Sequence, residues 1–264
     1  MEKRFLVDTH AHLDMISKNE DQLASVIQRA SEHGVKAIIT VAIDESSTFK
    51  ALNIAKRFPS CFSTVGLHPN DAQKYSPNIL EKFENLALNN KEIVAVGEIG
   101  LDFYRDYTPR KKQYEAFCAQ LEIASRLGLP VIIHARDALK ECISIIKDFI
   151  MKNELKGVFH CFSGDKNMAQ KVLDLGFYIS FTGVLTFPKA DGLRKVASYI
   201  PIEHILIETD CPFLSPVPFR GKPNEPARVY YVADVLAKIK HLSLDEVAEC
   251  TTKSAKDLFK LPIH

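Results

Sequence analysis

Near the start of the chain stands "FLVDTHAHLD", Phe5 to Asp14. Phe5, Leu6 and Val7 read as a short buried strand, after which Asp8, His10, His12 and Asp14 follow at alternate positions. On an extended strand, residues two apart leave the same face. That spacing lets the His10 and His12 imidazoles grip one cation, and neutral imidazole suits zinc and similar metals. Further groups of the same kind follow: His68 in "GLHPND", Glu98 in "GEIGLD", His134 in "VIIHARD", His160 in "VFHCFSGD" and Asp210 in "LIETDCPF". Each comes after an apolar run. A lone strand-end histidine is commonplace; an ordered set is a stronger signal.

The candidate metal ligands are therefore His10, His12, Glu98, His134, His160 and Asp210. Six ligands exceed what one tetrahedral zinc takes. They suit two divalent ions about 3.5–4 Å apart that share a carboxylate, with Glu98 as the bridge. Magnesium, manganese and zinc are all compatible with such mixed donors. His33, just before Gly34, reads instead as a helix-end cap or dipole partner.

These residues span about 200 positions, so something must bring them together. Eight apolar, β-rich runs do so: "RFLVDTH", "VKAIITVAI", "CFSTVGLH", "EIVAVGEIG", "LPVIIHA", "KGVFHCF", "FYISFTG" and "HILIETD". Amphipathic helix candidates lie between most of them, such as "DQLASVIQRASEHG" and "PRKKQYEAFCAQLEIASRLG", and several end in Gly, a helix stop signal. "EPARVYYVADVLAKIKHL" and "SLDEVAECTTKSAKDLFKL" read as two closing helices. Continuous apolar strands separated by helices argue a parallel sheet covered by helices. A doubly wound open sheet shares that alternation, but the count of eight favours an α/β fold of the (β/α)₈ TIM barrel type. With no linker, low-complexity tract or internal repeat, residues 1–264 are expected to form a single domain. Barrel active sites form at the C-terminal ends of the strands, which would gather the six residues at one mouth.

Composition adds limits. The chain has 264 residues, 46% hydrophobic and 25% charged, as in ordinary soluble proteins. A formal net charge of +1 draws it to no polyanion as a whole. A nucleic acid would have to be held by local positive charge or by metal. The six cysteines form no CxxC pair and are expected as reduced thiols. With no signal peptide and no apolar run near the roughly 20 residues a bilayer needs, a cytoplasmic location is expected.

"DTHAHLD", "GLHP", "GEIGLDFY", "PVIIHARDA", "FHCFSGD" and "IETDCPFLSP…RGKPNEP" together resemble the TatD family of metal-dependent hydrolases, often called TatD-type deoxyribonucleases. The likeness runs in order from about Val7 to Val229. It implies an amidohydrolase-type barrel, a divalent metal site and hydrolysis of DNA phosphodiesters, typically from the 3′ end. By the same resemblance His10 and His12 hold one metal with Asp210 nearby. Glu98 bridges to a second held by His134 and His160, and His68 lies by the scissile phosphate. Glu98 stands where related barrels place a carboxylated lysine.

The chemistry expected is attack of a metal-activated water on a phosphodiester. Asp210 is placed either to take the proton from that water or to serve as a plain ligand. Arg136, on the same face as His134, reaches either a phosphate oxygen or a salt bridge with Asp137 or Asp102. "FYRDYTPRKKQ" supplies Phe103, Tyr104, Arg105 and Tyr107, the aromatic and cationic mixture on which unstacked bases rest. Its bland reading is a solvated loop leading to a helix capped by Thr108 and Pro109. Arg220, Lys222 and Arg228 follow the eighth strand, where TIM barrels often bind phosphate, but the resemblance implies that this segment mainly orders its loop, through Arg220 and Asn224 or Glu225. Asp8 is read as orienting an imidazole or joining the strand hydrogen bonds, and Asp14 as capping the next loop or supporting a ligand. The expected substrate is DNA, single-stranded or at 3′ ends, or RNA. Hydrolysis of another ester or amide, such as a D-aminoacyl-tRNA or a small molecule, uses the same water. A non-catalytic barrel fits the intact ligand set least well.

Overall fold

The computed structural model describes residues 5–17, 19–105 and 107–263. Among them, eight strands form one sheet in sequence order: β1 (Leu6–Ala11), β2 (Val35–Thr40), β3 (Cys61–Val65), β4 (Ile93–Asp102), β5 (Val131–Arg136), β6 (Gly157–Phe159), β7 (Tyr178–Phe181) and β8 (Ile205–Ile207). Every neighbouring pair from β1 to β8 is parallel. The connections carry helices: α1 (Leu13–Ile16), α2 (Glu20–Glu32), α3 (Glu45–Arg57), α4 (Pro77–Asn89), α5 (Arg110–Leu127), α6 (Leu139–Ile150), α7 (Lys166–Asp174) and α8 (Asp191–Tyr199). Helices α9 (Val229–Lys240) and α10 (Leu244–Phe259) close the chain. This is the expected (β/α)₈ barrel.

The helices start where local chemistry starts them. Asn19 accepts from the first-turn N–H groups of α2, and Asp44 with Ser47 forms a capping box at α3. Ser243 with Glu246 does the same at α10. α5 begins at Pro109 with no side-chain cap, and the Thr108 hydroxyl instead donates to the Asn70 carbonyl. The expected Thr108 cap is corrected accordingly: tertiary contact with the loop after β3 takes that hydroxyl.

The strands sort their side chains with a period of two. Leu6, Ile38, Val131, Ile133, Ile205 and Ile207 pack in the layer shared with the helices. Val7, Ile39, Phe62, Ile132, Val158 and Leu206 fill the barrel interior. Leu258 and Phe259, at the end of α10, join that interior cluster and shut the N-terminal end of the barrel. Toward the other end, the inward side of β5 runs from Ile132 to His134 to Arg136. The apolar plug thus gives way to ionisable groups at the mouth.

The register of β1 against β2 shifts between Asp8 and Ala11. That irregularity turns His10 toward the interior although Val7 already points there, the re-aiming a bulge performs. β8 meets β1 through single bonds. The Thr9 hydroxyl donates to the Ile207 carbonyl at 3.1 Å, and the Asp210 N–H donates to the His10 carbonyl at 2.8 Å. Asp8 accepts from the N–H and hydroxyl of Thr209 at 2.8 and 2.6 Å. Asp8 therefore belongs to the strand hydrogen bonds and welds the seam; it touches no imidazole. Among the described residues, no helix is long and apolar enough to cross a membrane.

Candidate metal centre

Glu98 lies at the centre of the mouth, nearly fully buried, and its two oxygens face different partners. Oε2 is 3.4 Å from His10 Nε2 and 3.8 Å from His12 Nε2. Oε1 is 2.6 Å from His134 Nδ1, 2.8 Å from His160 Nε2 and 3.6 Å from His68 Nε2. Asp210 Oδ1 completes the first side, 3.8 Å from His10 Nε2 and 3.5 Å from His12 Nε2. All six residues read as ligands from the sequence, and His68, thus come together.

The donor spacing tests whether a cation fits. Ligands about 2.1 Å from a shared tetrahedral centre stand roughly 3.4 Å apart. His10 Nε2 and His12 Nε2 are 3.3 Å apart, and the shortest gaps to Glu98 and Asp210 are 3.4 and 3.5 Å. Those three edges match a cation's, while His10–Asp210 and His12–Glu98, both 3.8 Å, are longer. His134 Nδ1 and His160 Nε2 are likewise 3.3 Å apart, while their contacts to Glu98 are direct hydrogen bonds. Protons there supply the positive charge that a cation would replace. Three overlapping groups place their donor atoms within 4.8 Å of one another: His10, His12 and Glu98; His68, Glu98 and His134; His10, His160 and Asp210.

The far nitrogen of each ring separates ligands from donors. A histidine ligates through the nitrogen opposite the one that donates to a fixed acceptor. His12 Nδ1 faces the Val41 carbonyl at 3.0 Å, His134 Nε2 faces Asp102 at 3.4 Å, and His160 Nδ1 faces Glu208 at 3.4 Å. Each of these rings turns its other nitrogen to the centre, where a cation would displace the proton and take the lone pair. His68 is wired the other way. Its Nδ1 accepts the Asn70 N–H at 3.1 Å, so the neutral ring carries its proton on Nε2 and presents a donor to the site. Proximity alone groups His68 with the ligands; its hydrogen bonding does not.

Asp102 and Glu208 stand behind His134 and His160, a placement that the sequence reading missed. Asp102 also accepts from Asn70 Nδ2 and from the N–H groups of Tyr104 and Arg105. Glu208 accepts from the Cys161 N–H at 2.7 Å and the Ser180 hydroxyl at 2.6 Å. A buried carboxylate costs several kcal/mol unless donors surround it. "IETD" offers two acids, and the deeper one, immediately after the apolar run, is the signal that could have singled out Glu208.

Charge is balanced inside the cluster. Burial would raise Glu98, but the His160 charge and the His10 and His134 hydrogen bonds hold it well below the usual carboxylate range. Burial would depress His12, yet the hydrogen bond and charge of Asp210 hold it up to about 9. His160 is likewise raised against burial, chiefly by Glu98 and Glu208. Burial and the adjacent His134 push His68 down to about 3, so it stays neutral.

Strand-end placement needs correction at four residues. His12 and His160 come just past the ends of β1 and β6, while β3 ends at Val65 and β8 at Ile207, so His68 and Asp210 lie in the loops beyond. His68 is the N-cap of the 3₁₀ turn Pro69–Lys74. Asp210 has φ 54°, a left-handed conformation uncommon outside glycine. Behind the site, Gly100 has φ 139°, and a Cβ there would strike the His134 carbonyl.

The remaining sequence candidates fall around the rim. Arg136 stacks over the Tyr104 ring at 3.9 Å and makes no ion pair with Asp137 or Asp102. Arg105 reaches the Tyr107 hydroxyl at 2.8 Å. The loop after β8 is held internally: Asn224 donates to the Thr209 and Phe213 carbonyls, Glu225 pairs with Arg29 at 2.6 Å, and Arg220 lies 3.7 Å over Phe187. Asp14 sits in the first turn of α1, 4.0 Å from Lys50, and caps no loop. His33 does end α2, its Nδ1 2.9 Å from the Arg29 carbonyl. The six cysteines are free.

Comparison with known proteins gives consistent matches. A family model described as TatD related DNase matches residues 7–260. An uncharacterized metal-dependent hydrolase of Bacillus subtilis is 39% identical over 97% of this chain and 99% of its own length. A protein of Salmonella typhimurium named as the 3′-5′ ssDNA/RNA exonuclease TatD is 36% identical over 89% of this chain and 92% of its own. The crystal structure of a TatD homologue from Escherichia coli superposes with a TM-score of 0.90 at 32% identity, covering 97% of this chain and 98% of that one.

Proposed function

The chain belongs to the TatD family of metal-dependent hydrolases, and from that premise we propose that it is a nuclease. It uses two divalent cations to hydrolyse phosphodiesters from the 3′ end of single-stranded DNA or of RNA. The observation that carries the reading is the division of Glu98: one oxygen toward His10 and His12, the other toward His134 and His160. A carboxylate shared in this way suits a pair of ions clamping one phosphate. The named activity of the Salmonella relative supports the substrate class.

The residues divide the work. His10, His12 and Asp210 would hold one cation and His134 and His160 a second, with Glu98 placed between the two sets of imidazoles to serve both. Divalent cations bound there neutralise the phosphate and lower the pKa of the attacking water. Asp210 is kept ionised by His12 despite burial, so it can accept the water's proton. His68, neutral and with its proton on Nε2, donates a hydrogen bond to a phosphate oxygen without titrating at neutral pH. Asp102 and Glu208 hold two of the imidazoles in the ligating orientation. Arg136, stacked on Tyr104, offers its guanidinium edge to the incoming backbone.

The test is hydrolysis of a 3′-labelled single-stranded DNA oligonucleotide with magnesium, manganese or zinc, beside a chelator control and a His10→Ala control. Stepwise shortening, lost in both controls and weakened by salt, is the expected result. Absence of shortening with metal bound would overturn the nuclease reading and favour an aminoacyl ester as substrate.

A further inference from the structure

Phe213 stands three residues beyond Asp210, and the mechanism above gives it no role. It is 51% exposed, beside His12, which is buried. Its ring lies 6.2 Å from the His12 ring at an interplanar angle of 69°. A large aromatic face left half in water beside a metal centre is open to a planar apolar group of a ligand bound there.

The backbone beneath it is fixed on both sides. The Phe213 N–H donates to the Asp210 carbonyl at 2.9 Å, and the Phe213 carbonyl accepts from Asn224 Nδ2 at 2.8 Å. Asn224 is itself buried and also bonds the Thr209 carbonyl at 3.0 Å. The ring is therefore carried on a loop that is tied to the ligand segment. Fixed aromatic faces bind at little entropic cost.

Its position in the barrel adds a direction. Phe213 follows β8 and Tyr104 follows β4, four strands apart in an eight-stranded barrel, so they occupy opposite sides of the mouth. Tyr104 is 61% exposed and backed by Arg136. Two open aromatic faces thus flank the cluster, one beside His12 and one beyond His134.

We propose that Phe213 is a stacking subsite for the nucleobase on the 3′ side of the scissile phosphate, with the preceding bases passing toward Tyr104. This rests on the nuclease reading. Stacking on an aromatic face ignores base identity but requires a base. Phe213 would thus make the enzyme demand a base at the terminal nucleotide without choosing which one.

The experiment compares two single-stranded oligonucleotides, one with an ordinary 3′-terminal nucleotide and one whose terminal nucleotide lacks its base. Wild type should favour the ordinary end about tenfold in kcat/KM, mostly through KM. In Phe213→Ala that ratio should fall to near one, and in Phe213→Tyr it should persist. The metal content of each variant is measured alongside. A ratio that survives in Phe213→Ala, with both substrates slowed alike, would make Phe213 a wall for His12 and overturn the proposal. If wild type cleaves neither oligonucleotide, the nuclease reading itself fails.

Discussion

The N–H of Asn70 donates to Nδ1 of His68 at 3.1 Å, the reverse of the arrangement at His12, His134 and His160. One backbone hydrogen bond thereby assigns His68 a different task from rings only ångströms away. It would still present a donor to the site when a bound cation had taken the protons' place on those rings.

Replacing His68 with Ala should leave metal content unchanged and lower kcat about 100-fold, the usual cost of one preorganised donor to developing negative charge. Metal analysis of the purified variant beside its kinetics checks this. Loss of metal from His68→Ala would mean that the ring is a ligand after all.

Glu208 predicts a different phenotype. Glu208→Gln keeps the shape but replaces a full negative charge behind His160 with an amide. Metal affinity or activity should fall about 10–100-fold. Raising the metal concentration should recover part of the activity, which titration of the stripped variant would reveal. Wild-type affinity in Glu208→Gln would remove Glu208 from the account.

The stripped protein should lose stability as pH rises. His12 has its folded value raised to about 9 from 6.5, and His160 is raised as well. A raised imidazole contributes stability that is complete below the unfolded value and fades as pH climbs through the folded one. Asp8, pushed by burial to about 8, acts in the same direction. Tm of the chelated protein should therefore fall between about pH 6.5 and 9. With metal bound, the ligand protons are already displaced and the fall should shrink. Thermal melts across that range, with and without manganese, decide it; identical slopes would contradict the proton-for-metal exchange.

The barrel was legible because eight apolar runs alternate with helices, and all eight occur where the sequence places them. The clustering of these acids and histidines was legible because such residues are rare after buried strands. Other features depend on partners that sequence does not place. Asp8 meets Thr209 across 201 positions, and that contact decides that it welds the seam and orients no imidazole. Glu208 hides beside Asp210 in "IETD" and is distinguished only by Ser180, Cys161 and His160 around it. Arg136 had acids nearby in sequence, but it stacks on Tyr104, because Asp102 is already taken by Asn70, His134 and two backbone N–H groups. That the tip of α10 plugs the barrel follows from closure in space, which helical periodicity does not encode.

The central claim is that Glu98 lies between two cations. Anomalous scattering from a manganese-soaked crystal tests it most directly. The account predicts two peaks about 3.5–4 Å apart, one against His10 and His12, the other against His134 and His160, with Glu98 touching both. A single peak at saturating manganese, or a pair that leaves Glu98 untouched, would contradict it.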